Sequence, residues 1–152
     1  MLGFVASRYP HLRRSAYLMC GDWGAAAQVV QRTLARLVAD PRRGEIQDLD
    51  RVAYAELMAA FPRRRSRREH VFVAPVGTRS ERMHDHTPTI LLLDALQKLS
   101  PRCRAVVVMR HWDGMQFAEI ARVLAITQQR AGTYERAGCR ALERLLGDLV
   151  AR

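Results

Sequence analysis

The sequence predicts an all-α protein: two small helical domains joined by a basic linker. Apolar residues recur at three- and four-residue spacing in two blocks, an arginine-rich stretch with Pro75 and Gly77 interrupts that rhythm, and capping and stop signals punctuate each block. The domains so delimited are residues 1–62 and 90–152, with residues 63–89 as the linker.

In the first block the helical spacing runs from Pro10 to Phe61, through Leu12, Ala16 and Met19, then Ala26, Val30, Leu34 and Leu37, then Leu49, Val52 and Leu57. Gly21-Asp22 ends the first helix, Asp40-Pro41 and Gly44 mark a turn, and Pro62 closes the third run. The linker opens on Arg63, Arg64, Arg65, Arg67 and Arg68 and has room for a short extended piece at Val71 to Val73. Between Arg63 and Arg82 seven arginines face two acids, which concentrates positive charge where the domains join.

The second block restarts with Leu92, Leu96 and Leu99. Ser100-Pro101 then supplies an N-cap and a proline at the first helical position. The helix that follows turns Ala105, Val108 and Met109 inward and stops near Asp113-Gly114, where glycine suits a left-handed terminus. Phe117 to Leu124 forms another helix, Ala125 to Thr127 a tight connection, and Gln128 to Leu149 a long last helix with Leu142, Leu145 and Leu146 on its apolar side.

A chain of 152 residues builds one medium core or two small ones. Domains of about 60 residues bury only about 60% of their unfolded surface, so a larger partner would add stability. The formal net charge of +10 and a pI of about 10.9 favour contact with a polyanion. Lys98 is the only lysine, and arginine is the residue that grips phosphate and guanine with two hydrogen bonds at once. Cys20, Cys103 and Cys139 are odd in number and lack metal-ligand spacing, so neither a disulfide framework nor a zinc site is expected, and no cofactor either. Arg8 and Pro10 stand where a signal peptide needs its apolar run, and Ala105 to Met109 is far too short to span a membrane, so a cytoplasmic location is expected.

The element order of the last third is that of a helix-turn-helix: a short amphipathic helix, a turn, and a second helix whose start is polar. Ile120, Ala121 and Leu124 of the first helix would pack on the second, and Thr127 would cap it. Gln128, Gln129, Arg130, Thr133 and Arg136 then occupy the turns that enter a major groove. Glutamine can pair with adenine, arginine with guanine, and threonine with phosphate or a thymine methyl. Thr127 and these five residues are the candidate DNA contacts, together with linker residues Arg63, Arg64, Arg65, Arg67 and Arg68 as phosphate contacts.

The residues from Leu99 to Trp112 (LSPRCRAVVVMRHW) and from Gly114 to Ala121 (GMQFAEIA) resemble, without gaps, region four of the extracytoplasmic-function sigma factors. Arg8-Tyr9-Pro10, Ala16-Tyr17-Leu18, Gly21-Asp22, Val30-Gln31 and Leu34-Ala35-Arg36-Leu37 are similar to the opening of region two in the actinobacterial branch. The resemblance implies a dissociable, non-enzymatic subunit of RNA polymerase with a region-two bundle and a region-four helix-turn-helix. Region two would grip the beta and beta-prime subunits of the core and open the minus-ten element; region four would read the minus-thirty-five element of double-stranded promoter DNA. Carried over by position, the core-contact helix is Ala26 to Leu37, with Ala27, Val30, Gln31 and Leu34 as polymerase contacts. The melting face lies near Val52 to Phe61, and the reader is Gln128 to Arg136. An anti-sigma factor is a further partner the resemblance leaves open.

Three departures stand out. The family's acidic stretch is here Ala25-Ala26-Ala27-Gln28, with Arg32 where another acid is usual, so charge-assisted contacts of about 1.5–3 kcal/mol each are missing. In the melting region Ala55 replaces an asparagine, and Ala59, Ala60, Phe61 and Pro62 replace tryptophan- and arginine-rich positions. Gly132 occupies a recognition-helix position where a basic residue is common. Two other readings stay open at this point: a sigma-like regulator that binds DNA without engaging polymerase, and an enzyme or metal site built on His84-Asp85-His86 with His70 and His111.

Overall fold

The computed structural model describes residues 2–45, 48–61 and 87–150, and every regular element among them is helical. The N-terminal half contains α1 (Leu2–Cys20), α2 (Trp23–Ala39) and α3 (Leu49–Ala59), with a 3-10 turn at Arg43–Glu45. The C-terminal half contains α4 (Thr87–Lys98), α5 (Pro101–Val107), a π-helical segment (Val108–Trp112), α6 (Phe117–Leu124) and α7 (Gln128–Val150). Arg63, Arg64, Arg65, Arg67 and Arg68, the Val71 to Val73 piece, His70 and the His84-Asp85-His86 cluster lie outside the described residues.

Local chemistry explains most helix starts. Asp22 Oδ1 accepts from the Ala25 amide at 2.7 Å and Asp48 Oδ1 from Arg51 at 2.9 Å. Ser100 Oγ accepts from Cys103 at 3.4 Å, with Pro101 at the first position, as the sequence leads one to expect. α1 begins well upstream of the periodicity and runs through Pro10. An interior proline forfeits a backbone bond and costs roughly 3 kcal/mol. Phe4, Val5 and Tyr9, packed against the core from that first part of the helix, offset it.

The π-helical segment is a second departure from the single helix expected after Ser100. The Asp113 amide reaches back five residues to the Val108 carbonyl at 3.1 Å. This wider turn carries Val108 and Met109 into the core, leaves His111 and Trp112 on the surface, and turns Asp113 inward.

How the halves sit together is not legible in the sequence. In the structure α1 packs on α2, α4 and the π-helical segment, and α3 packs on α2 and α6. Leu12 and Met19 of α1, Val30 of α2, Leu57 of α3, Leu96 of α4 and Ile120 of α6 all belong to one buried cluster. A buried cation sits at the seam. Arg104 is 8% exposed, and its guanidinium donates to the carbonyls of Leu96 (2.7 Å), Met19 (2.7 Å), Gln97 (3.0 Å) and Leu99 (3.0 Å). These carbonyls belong to the end of α1 and to the end of α4 with the turn after it, where helices leave acceptors without partners and the dipole favours positive charge.

Two glycines of α7 behave oppositely. A Cβ at Gly138 would fall 2.5 Å from Val107 Cγ2, so α5 and α7 approach as closely as they do because no side chain intervenes. A Cβ at Gly132 would meet only the tip of Arg136, at 3.4 Å. Gly138→Ala should therefore destabilise, because overpacking of roughly 1–3 kcal/mol exceeds a propensity gain of about 1 kcal/mol. Gly132→Ala should stabilise by about 0.5–1 kcal/mol. Opposite shifts of the urea midpoint check the pair.

Candidate nucleic-acid interface

α6 is placed by contacts from its own N-terminal side. Arg110 donates to the Met115 carbonyl at 3.0 Å and to Gln116 Oε1 at 3.3 Å, and its guanidinium lies 4.6 Å from the centre of the Phe117 ring. Glu119 reaches back to accept from the Gln116 amide at 2.9 Å, satisfying a donor that the helix start leaves open. Ile120, Ala121 and Val123 are buried, while Leu124 is half-buried; Val123, not Leu124, takes the deeper inward position.

The turn is made by Ala125 in the left-handed region (φ 53, ψ 47), a conformation in which alanine is strained by roughly 1 kcal/mol. The Ile126 amide closes the turn onto the Ala121 carbonyl at 3.0 Å. Thr127 Oγ1 then accepts from the Arg130 amide at 3.1 Å and caps α7 as expected.

Thr127, Gln128, Gln129, Arg130, Thr133 and Arg136 are all exposed, whereas Ala131 and Gly132 between them are buried. The structure therefore brings the six predicted C-terminal contacts to one open surface at the start of α7. Gly132 belongs to the packed side, so it takes nothing from that surface. Thr133, exposed, donates from Oγ1 to the Gln129 carbonyl at 3.0 Å, which leaves the hydroxyl's acceptor capacity unused within the helix. Arg140, exposed and in helical register with Gln129, Thr133 and Arg136, extends the basic strip by one turn. Its spacing alone could have identified it.

The N-terminal candidates divide differently. Val30 (0% exposed) and Leu34 (4%) point into the core, whereas Gln31 is exposed and Ala27 partly so. The open face of α2 is made instead by Gln28, Gln31, Arg32, Ala35 and Val38. On α3, Ala53, Tyr54, Leu57 and Met58 are buried, and Ala55, Ala59 and Phe61 line a cleft of about 320 Å³ whose far wall includes Val123 and Leu124 of α6. Trp23 packs beneath Arg13, 4.2 Å from its guanidinium, and edge-on to Tyr17; Trp112 is 48% exposed.

A polar junction fastens the helix-turn-helix to the N-terminal half. Ser15 Oγ donates to Asp113 Oδ1 at 2.7 Å, His11 Nε2 pairs with the same oxygen at 3.2 Å, and the Tyr54 hydroxyl stands 3.5 Å from Ser15 Oγ. Burial pushes the Asp113 carboxyl above the ordinary aspartate value of 3.8, against the opposing pull of Ser15, His11 and Tyr54. Burial also raises Tyr54, with the Asp113 charge adding to it. Since the folded pKa of Asp113 lies above the unfolded one, its contribution to stability is complete below the ordinary aspartate range and fades as the pH rises through the raised value. Asp113→Asn keeps the acceptor for Ser15 and removes the buried charge. Urea melts between about pH 4 and 7 should show this variant losing less stability with rising pH than the parent.

Among the described residues no helix is long and apolar enough to cross a membrane. The model for sigma-70 region 4 matches residues 89–145, the part that carries the helix-turn-helix. The chain is 33% identical to an RNA polymerase sigma-E factor of Streptomyces coelicolor, over 98% of this chain and 85% of that one. A sigma-E factor of Streptomyces avermitilis is 30% identical over 98% of this chain and 84% of its own. Among solved structures, the sigma factor RpoE of Bartonella quintana, crystallised in complex with the anti-sigma factor NepR, superposes with a TM-score of 0.71 over 95% of both chains at 17% identity, a likeness of fold.

Proposed function

Since this chain belongs to the RNA polymerase sigma factors, in the extracytoplasmic-function branch, we propose a division of labour among its surfaces. The protein binds core polymerase and directs promoter-specific initiation. Its minus-thirty-five reader is the exposed start of α7: Thr127, Gln128, Gln129, Arg130, Thr133 and Arg136, with Arg140 on the phosphates beyond. The observation that carries this assignment is that all six side chains are open while the residues between them hold the helix down.

The polymerase-facing surface is the open side of α2, with Ala27, Gln28, Gln31, Arg32, Ala35 and Val38 replacing the buried Val30 and Leu34. Ala55, Ala59 and Phe61 at the α3 cleft are the candidates for the minus-ten strand. Residues 1–62 and 90–152 act as the two working units, and Arg63, Arg64, Arg65, Arg67 and Arg68 between them meet phosphate, which makes binding steeply dependent on salt. An anti-sigma factor, such as the one bound to the Bartonella quintana protein, is a natural antagonist for such a chain. The protein works in the cytoplasm as a binding subunit with no catalytic role. A sigma-like regulator that lost polymerase engagement, the reading suggested by the alanine-rich α2, is less favoured, since the Streptomyces coelicolor and Streptomyces avermitilis sigma-E factors align over 98% of this chain, region two included.

Mixing the purified full chain with core polymerase tests the reading. Co-elution and transcripts starting at defined promoters are expected, and acids placed at Gln28 and Arg32 should tighten the complex. Absence of both co-elution and promoter-specific transcripts at micromolar protein would refute it.

A further inference from the structure

His111 leaves the π-helical segment on its outer side, and Glu135 and Cys139 stand one turn apart on α7 facing it. His111 Nε2 lies 3.0 Å from Glu135 Oε1 and 3.4 Å from Cys139 Sγ, and Sγ lies 3.4 Å from Oε1. Three chemically different donor atoms thus close a small triangle across two elements. Tetrahedral zinc, with bonds of about 2.0–2.3 Å, sets its ligand atoms about 3.3–3.6 Å apart, so each edge needs to open by no more than about 0.4 Å.

From this geometry we infer that His111, Glu135 and Cys139 form a three-ligand site for a zinc-class divalent cation that clasps the recognition helix to the π-helical segment. The hydrogen bonds within the triangle hold the ligands in place before the metal arrives. A neutral imidazole, a carboxylate and a thiolate together carry two negative charges, which a divalent cation balances. The outer side of His111 is half-exposed, leaving a fourth position for water or an incoming ligand, the arrangement of an open zinc site.

The mixed nitrogen, oxygen and sulfur set favours zinc or cobalt over magnesium or calcium, which take oxygen alone. Burial and the Glu135 charge push the Cys139 thiol up to about 11, so the metal must displace the thiol proton as it binds. Spacing along the chain hides the site, because His111 and Cys139 are 28 residues apart and no paired-cysteine motif announces them.

Cobalt titration of the full-length chain provides the test, read through the thiolate-to-cobalt charge-transfer band. One equivalent should produce the band, zinc should bleach it, and the Cys20→Ser/Cys103→Ser double variant should retain it. Cys139→Ser and His111→Ala should lose it while keeping their helical circular dichroism, and Glu135→Gln should weaken cobalt binding by more than about tenfold. As a second readout, zinc should raise the melting temperature of the parent and leave that of Cys139→Ser unmoved. The site is refuted if excess cobalt gives no band, or if the band survives in folded Cys139→Ser or His111→Ala.

Discussion

Arg104→Met lowers the unfolding free energy by about 3–5 kcal/mol. Methionine fills much of the same volume, so the loss does not come from a cavity. It comes from four carbonyls that lose the guanidinium donors: Met19 keeps the Gln97 side-chain amide (3.3 Å) and Leu96 keeps the Leu99 amide (3.1 Å), so the loss falls mainly on the carbonyls of Gln97 and Leu99. Each acceptor left without a donor costs about 1–3 kcal/mol before water reaches it. Arg104→Lys should recover only part of the difference, because one ammonium cannot spread its donors over acceptors that a planar fork spans. The check is a urea series in which the midpoint falls at constant slope. A loss below about 1 kcal/mol for the methionine variant would mean that other donors serve those carbonyls.

The second large effect falls on promoter recognition. Gln129→Ala and Arg130→Ala each remove a side chain from the first turn of α7, the part of a recognition helix that meets base edges. If each makes a two-point contact with a base, binding to the cognate minus-thirty-five duplex weakens by about 1–3 kcal/mol, or roughly 5–150-fold, and discrimination at one base pair relaxes. Arg136→Ala, a turn further on, should instead weaken binding to every sequence alike and flatten the salt dependence. Anisotropy titrations of holoenzyme on cognate and base-substituted duplexes separate the two outcomes. Uniform weakening by all three variants would assign the whole strip to phosphate.

What the sequence disclosed was local. Ser100 and Thr127 cap helices because a hydroxyl can reach an amide three residues on, and that needs nothing from the rest of the chain. The helix-turn-helix was legible for the same reason, since polar and apolar positions alternate within two adjoining helices. Residues defined by contacts between distant segments were not. Val30 and Leu34 share the apolar spacing of Ala26 and Leu37, and their burial against α1 and α3 decides for that pattern and against the contact role their family position implied. Arg104 reads as one more surface arginine until Met19, 85 residues away, is found beneath it. Gly138 looks like a flaw in a helix until Val107 is seen where its side chain would go.

The contact of α3 with α6 has a consequence for how the chain meets a promoter. The minus-ten and minus-thirty-five elements, by their names, lie about 25 base pairs apart, which at about 3.4 Å per step is roughly 85 Å along the duplex. If α3 serves the minus-ten strand and α7 reads the minus-thirty-five element, as proposed, two halves packed together through α3 and α6 cannot reach both ends of that interval. On that assignment the packed molecule would compete with its own promoter-bound form, and apparent promoter affinity would scale with the fraction of molecules that have parted. Ser15, His11 and Tyr54, distant from the recognition surface, would then bear on promoter binding through the junction they form with Asp113.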